Sequence, residues 1–458
     1  MLNWDNFKDT LTHKHIAVFG LGTSGFSVVK ACVANGVKVT VWDDNEAQRI
    51  KAESLGAASE ALSVSDLSHY DYLILAPGVP YTYEPNPVVL NAQKYDLSII
   101  GDVELLSLIG IPCKTIGITG TNGKSTTTAL MTHVLNENGY KSVMAGNIGV
   151  PVFDVDFAED LDFLVLELSS YQLDLCPNFR PDFSILLNIT SDHLDRHGSM
   201  KAYVAAKEKI LEGEGIAVID IDDDFTQVLF DKSFLSGKRK TFPVSVHHEI
   251  PEGYFVKNNS LYHNYHGENN EVGSLDNLST LRGVHNQQNI ICCFVIAHYI
   301  GIQEADFLNS LKHFGGLPHR QYLVAQKDNI SFINDSKATN AEAAAKALGA
   351  YEDIFWIIGG RSKKGGLKGL DIFKDKIAKT YVIGEAEEEF SQWLEYHGFV
   401  YERCGDIVNA TNKAYQDASG FNMDATILLS PACASWDQFS SFEMRGNAFE
   451  KVVGEIIS

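Results

Sequence analysis

Short apolar runs bounded by glycine, asparagine, aspartate or proline recur along the chain and alternate with stretches of helical periodicity. Ile16–Phe19 is the first, followed by Gly-Leu-Gly-Thr-Ser-Gly at 20–25 and a helical pattern from about Phe26 to Asn35. Val37–Trp42 comes next and ends at Asp43-Asp44; Tyr72–Ala76 then runs into the turn Pro77-Gly78-Val79-Pro80. Strands that alternate with helices predict a parallel sheet, because parallel neighbours need a crossover and are covered on both faces.

The same rhythm continues at Lys114–Ile118, Phe163–Leu168, Phe183–Asn188 and Ile216–Ile219, with a helix over Thr126–Leu135. From His247 to about Leu281 the chain turns polar and predicts a peripheral, hairpin-like excursion, closed by a helix at His285–Ile300. Ile330–Asn334, Ile354–Ile358, Thr380–Ile383 and Ala425–Leu429 form a third set, expected as another parallel open sheet. Such sheets bind ligands beyond the carboxyl ends of their strands. Asp335-Ser336-Lys337, Gly359-Gly360-Arg361 and Ser430-Pro431 all fall there. The fold class is therefore α/β with three domains, over residues 1–101, 102–316 and 317–458. The first is Rossmann-like, the central one P-loop ATPase-like and the last Rossmann-like.

Length agrees, since 458 residues exceed what one core usually serves. A net charge of −22 disfavours nucleic acid or an anionic membrane as partner. The opening MLNWDNFKDTLTHKH lacks a signal-type apolar core, and the longest apolar stretch, Ile290–Ile302, is too short to span a bilayer. Seven cysteines without Cys-x-x-Cys spacing point to a reducing compartment, so a cytoplasmic location is expected.

Two glycine-rich turns carry the chemistry. Gly20, Gly22 and Gly25, with an acid at the next strand's end, form the βαβ fingerprint for a nucleotide diphosphate. That fingerprint does not say which nucleotide, and a nicotinamide oxidoreductase stays open on these residues alone. The second turn, GITGTNGKSTTT at 117–128, departs from a strict phosphate loop in carrying Ile118 where glycine is usual. Its strand–turn–helix setting is nevertheless the one required: backbone N–H groups wrap a polyphosphate, Lys124 neutralises it and Ser125 can ligate Mg²⁺. In FLVLELSS, Glu167 sits among apolar neighbours near a strand tip, where a carboxylate is costly unless paired or metal-bound. Asn188, Asp192 and His193 reach the same sheet end, and Ser125, Glu167 and His193 suit a phosphate-bound Mg²⁺. Lys207, in KAYVAAKEKI, reads on its own residues as a solvated helix lysine.

Together TGTNGKST, ELSS, DHLDRHG followed by AAK, HNQQN at 285–289, LPHR at 317–320, DSKATN at 335–340 and SPACASWDQF at 430–439 resemble the Mur ligases. The resemblance spans all three domains in order. It implies an ATP-dependent enzyme of peptidoglycan synthesis that phosphorylates the free carboxylate of UDP-N-acetylmuramoyl-L-alanine. An amino acid's amine then attacks the acyl phosphate, giving an amide, ADP and phosphate. DSKATN and SPACASWDQF point, within the family, to D-glutamate as that amino acid.

Carried over by resemblance, Gly120, Thr121, Asn122, Gly123, Lys124, Ser125 and Thr126 hold ATP, with Asn286 and Asn289 near its adenosine. Arg320, Asp335 and Lys337 orient ATP from the third domain, which is expected to close on it. Ser125 and Glu167 hold one Mg²⁺; His193 and a carbamylated Lys207 hold a second. Lys124, Lys207, His193 and Glu167 form the implied catalytic set. Thr23, Ser24, Asp43, Gly78, Asn147 and His193 meet the UDP-bearing substrate, and Thr339, Lys363, Ser435 and Phe442 meet D-glutamate. A monomer with small-molecule substrates is implied. Asp44-Asn45 stands where familiar members carry Thr-Arg, which leaves the uracil contacts open, and adjacent Lys363 and Lys364 leave the D-glutamate lysine open by one residue. Two further readings remain, another ATP-dependent amino-acid ligase and a nucleotide-binding module without chemistry.

Overall fold

The structure is a computed structural model that describes residues 10–157, 161–265, 267–278, 280–281, 283–363, 365–421 and 423–458. Lys364 lies outside the described residues, as does most of the N-terminal segment considered for a signal. The chain divides into two compact units, Met1–His313 and Phe314–Ser458.

The first unit holds two sheets. Strands His15–Phe19, Lys38–Trp42, Ala58–Ser59, Tyr72–Leu75 and Ser98–Ile100 form a parallel sheet in the order third, second, first, fourth, fifth. The sequence reversal between first and fourth places a crevice at the first strand's tip, where Gly20–Gly25 lies. The following helix is Thr23–Ala34, so Thr23 and Ser24 belong to its first turn rather than to a loop ahead of Phe26. Close backbone approach explains Gly25: a Cβ there would stand 2.0 Å from the Gly20 carbonyl oxygen.

The second sheet has nine strands. Its centre is the parallel set Gly215–Asp220, Phe183–Leu186, Lys114–Thr119, Phe163–Glu167 and Ser142–Gly146, in that spatial order. Arg239–Ser245 extends it. The polar 247–281 stretch then adds Gly253–Lys257, Ser260–Tyr265 and Glu268–Ser274, the last two pairing antiparallel. The expected excursion is thus an edge of the main sheet. One apolar cluster runs from Val18 and Val28 of the first sheet's layer to Leu164, Leu186 and Ile219 of the second, so the two sheets share a core. Helix Asp102–Ile109 forms the seam: fully buried Glu104 accepts the backbone N–H groups of Asn178 and Phe179, and Gly101 N–H donates to Leu175 O at 2.9 Å.

The second unit is a six-stranded sheet in the order Tyr322–Lys327, Ile330–Asn334, Ala425–Leu429, Ile354–Gly359, Ile377–Ile383, Tyr401–Gly405. All pairs are parallel except the first, Tyr322–Lys327 against Ile330–Asn334. The expected all-parallel sheet is therefore mixed. The antiparallel edge strand escaped notice because its alternation is broken by a register shift between Leu323 and Ala325. Side-chain alternation fills both faces: Trp356 and Ile358 enter one apolar cluster, Phe355 and Ile357 the other.

Candidate active site

The phosphate loop leaves strand Lys114–Thr119 and enters helix Lys124–Glu137, two residues earlier than the apolar pattern suggested. Gly123 caps that helix in the left-handed region, φ +86°, and a Cβ would stand 2.5 Å from Asn289 Oδ1. No other residue fits there without moving Asn289. The loop is braced by its neighbours. Asn188 accepts Thr121 N–H through its carbonyl at 2.7 Å and Asn122 N–H through its side chain at 2.8 Å. Its amide nitrogen donates to Gln288 Oε1 at 2.7 Å. Lys124 curls over the loop, donating to Gly120 O at 3.0 Å and Thr121 O at 2.8 Å. Ser125 and Thr126 sit half-buried in the first helical turn.

Lys207 lies beneath this loop, not in solvent. Its side chain is buried, its Nζ donates to Gly120 O at 2.7 Å, and it stands 4.8 Å from the Tyr203 ring centroid. Burial, seconded by the Lys124 charge, lowers its pKa to about 7, while Asp192 and Glu167 oppose the shift. Glu167 is also buried: Oε1 accepts Asn147 Nδ2 at 2.7 Å, and Oε2 has no hydrogen-bond partner. A buried carboxylate oxygen left bare costs free energy that a cation at that point would recover.

His193 takes a left-handed backbone, φ +52°, and caps the short helix Leu194–His197. Its ring lies 3.4 Å from Asp192 Oδ2 and packs 5.0 Å from Tyr171 and 6.4 Å from Tyr203, centroid to centroid. Tyr203, whose hydroxyl meets Thr121 Oγ1 at 3.0 Å, therefore links His193, Lys207 and the loop. Asn289 is buried and committed to Thr127 and Asn286, so it supports the loop from behind.

At the first glycine turn both Asp43 oxygens are engaged, Oδ2 by Leu21 N–H at 2.6 Å and Oδ1 by Asn45 N–H at 2.8 Å. Arg49 donates to Asp43 O at 2.6 Å and lies 4.4 Å over the Trp42 ring. Thr23 and Gly78 are exposed, and Asn45 caps the next helix by accepting Ala47 N–H.

In the second unit, Lys363 Nζ meets Thr339 Oγ1 at 3.2 Å, and Lys337 Nζ lies 5.8 Å from the Phe442 ring centroid. Ser435 is buried; Arg320 is exposed. Asp335 is buried and takes Ser430 Oγ at 2.7 Å and Gln321 N–H at 3.1 Å, with burial pushing its carboxyl up to about 7.

Two family models match the chain, one described as Mur ligase middle domain over residues 118–297 and one as Mur ligase MurD-like, N-terminal domain, over 14–101. The UDP-N-acetylmuramoylalanine–D-glutamate ligase of Brucella abortus (strain 2308) is 41% identical over 454 residues, covering 97% of this chain and 96% of its own. That of Rhizobium meliloti (strain 1021) is 41% identical over 442 residues, 95% of each chain. The chain belongs to the Mur ligase family. Among solved structures, the UDP-N-acetylmuramate–alanine ligase of Thermotoga maritima aligns with a TM-score of 0.55 at 18% identity, over 97% of this chain and 100% of that one. A UDP-N-acetylmuramoyl-L-alanyl-D-glutamate–2,6-diaminopimelate ligase aligns with a TM-score of 0.54 at 16% identity, over 83% of this chain and 92% of that one. At these identities the likeness concerns the fold.

Two residues of this Mur ligase carry no signal in the sequence, Arg196 and Arg445. Asn188 is expected at the sheet end, but its brace on the loop is a tertiary fact. Arg445 is buried with no carboxylate among its hydrogen-bond partners; it donates to Ser336 Oγ and O, Gly359 O and Cys433 O. It thereby ties together the three strand-end loops that carry Lys337, Lys363 and Ser435. In the sequence it is one arginine within an otherwise amphipathic helix, Phe442–Ile457. No helix among the described residues is long and apolar enough to cross a membrane.

Proposed function

We propose that the protein joins D-glutamate to UDP-N-acetylmuramoyl-L-alanine at the expense of ATP, through an acyl phosphate. One observation carries the reading most directly: a buried lysine amine and a buried, half-unpartnered carboxylate flank a glycine-rich phosphate loop. A binding module has no use for that cost, whereas phosphoryl transfer needs cations and their ligands beside the phosphates. The family is ATP-dependent, and its curated relatives carry the D-glutamate-adding name.

The loop's N–H groups and Lys124 hold the β- and γ-phosphates, which requires Lys124 to exchange its two loop carbonyls for phosphate oxygens. The bare Glu167 Oε2 and the Ser125 hydroxyl fit one magnesium ion; His193 and Lys207 fit a second once Lys207 carries a carbamate. A neutral amine attacks CO₂, forms the N–C bond and releases a proton, and a pKa near 7 keeps enough of Lys207 neutral for that. Magnesium, when bound, neutralises charge on the transferring phosphoryl group. Asn147, fastened to Glu167, and His193 orient the carboxylate of the UDP-bearing substrate toward the γ-phosphate. Lys363, Thr339 and Ser435 supply cationic and hydroxyl donors for the two carboxylates of D-glutamate, and Phe442 an apolar wall. The substrates are small molecules, and we assign the chain to the cytoplasm as a monomer on the same reading.

The test is ADP release with UDP-N-acetylmuramoyl-L-alanine across an amino-acid panel. D-glutamate should be the amino acid that drives turnover. Turnover with L-alanine or a diamino acid in its place would overturn the substrate assignment.

A further inference from the structure

The short helix Leu194–His197 carries His193 at one end and is held from two sides. On one side stands the 78–83 turn of the first sheet. Val79 O accepts Arg196 Nη2 at 2.5 Å, and the Tyr83 ring covers Gly198 so closely that a Cβ there would stand 2.6 Å from it. On the other side stands helix Ser170–Asp174, which directly follows the Glu167 strand. His197 Nε2 meets Ser170 Oγ at 2.9 Å, and its Nδ1 lies 3.5 Å from Asp174 Oδ2. Asp174 in turn accepts the Thr82 hydroxyl at 3.3 Å.

Arg196 is the costly member of this arrangement. It is only 8% exposed, yet its Nε and Nη1 have no hydrogen-bond partner, and its guanidinium lies 5.1 Å over the Tyr171 ring. A buried guanidinium with a single hydrogen bond is held by geometry more than by stability. Its one bond joins the turn bearing Gly78 to the helix bearing His193, whose left-handed backbone needs outside support to persist.

We propose that Arg196 is a positioning residue that couples the 78–83 turn to His193, so that binding of the UDP-bearing substrate is felt at the nucleotide site. This rests on the functional reading above, with the nucleotide's phosphates beside His193, and on the resemblance that sets the UDP-bearing substrate at Gly78. Any shift of the turn on substrate entry moves the Val79 carbonyl, and with it the helix that ends in His193. By linkage, the nucleotide must then affect the UDP-bearing substrate equally.

The experiment measures binding of a non-hydrolysable ATP analogue to the full chain, with and without UDP-N-acetylmuramoyl-L-alanine. In the unaltered protein the substrate should tighten the analogue by about tenfold. In Arg196→Met the ratio should fall to about one, with each ligand alone bound within about twofold of normal. Arg196→Lys, which can still donate to Val79 O, should restore part of the ratio. Thr82→Val, which touches only an exposed hydroxyl, should lower it in part and serves if Arg196→Met does not fold. Coupling undiminished in Arg196→Met, or in Thr82→Val should the methionine variant not fold, would overturn the inference and leave the functional reading intact. Analogue binding weakened as much without substrate as with it would also overturn it, as damage to the nucleotide site alone. An unaltered protein that binds the analogue but not the UDP-bearing substrate would overturn both.

Discussion

The two glycine-rich turns of the first unit are built alike and equipped differently. Each leaves a buried parallel strand and runs into a helix, so each turns the N-terminus of a helix toward a phosphate. Residues 20–25 include no lysine or arginine, and Asp43 spends one oxygen on the loop at Leu21 N–H and the other on Asn45 N–H of its own turn. The second turn carries Lys124, rests on Lys207 and faces Glu167 across the sheet end. Backbone geometry alone binds phosphate; what distinguishes binding from transfer is charge kept out of water beside it.

Removing charge from the second turn should therefore produce the largest effect. Lys124→Ala should lower kcat about a thousandfold while binding of the UDP-bearing substrate, measured by calorimetry, stays unchanged. Loss of that binding as well would make the two turns one site.

Lys207→Ala should cost about a hundredfold in turnover and regain activity with added short carboxylates. Absence of rescue by any carboxylate would remove the carbamate. The free amine also makes a stability prediction. Its folded pKa of about 7 lies below the ordinary lysine value, so the unfolded chain binds the extra proton. The penalty is then full below about pH 7 and is relieved as pH rises toward the ordinary value. In CO₂-free buffer, Lys207→Met should raise the unfolding temperature more at pH 6 than at pH 9. An equal gain at both would mean that the amine is not shifted.

Gly123→Ala should raise the KM for ATP about tenfold and destabilise by about 2 kcal/mol, because the new methyl group meets Asn289 at positive φ. The smallest effect belongs to the first turn. Asp43→Ala should raise the KM for the UDP-bearing substrate about fivefold with kcat unchanged, the signature of lost uniform binding. A fall in kcat instead would give the first turn a part in the chemistry.

Much of this was legible before the fold was seen. Most strands with continuous apolar runs fall within a residue or two of their expected bounds, since burial on both faces leaves a plain pattern, whereas Ile377–Ile383 begins three residues before the expected Thr380 and Ser142–Gly146 and Arg239–Ser245 were not expected. Short strands such as Ala58–Ser59 and Ser98–Ile100, and the polar edge strands after Gly253, were not expected either, because two or three residues or a solvated face leave no pattern. The Gly-Lys-Ser loop is local chemistry and needs no partner to be recognised. Lys207 shows the opposite: its helix reads as amphipathic and solvated, and only the packing of that helix under the loop buries the amine.

By itself, then, the sequence determined which backbone segments cradle phosphate and which residue types stand at strand tips, because strand–turn–helix geometry is set within a dozen neighbours. Tertiary structure alone decided which of those groups lose their water. Glu167 Oε2 left bare, Lys207 lowered to about 7, Arg196 held by one carbonyl and Arg445 spread over three loops all depend on residues distant in the chain. Desolvation is a sum over everything that surrounds a group, and a chain brings those surroundings together only by folding.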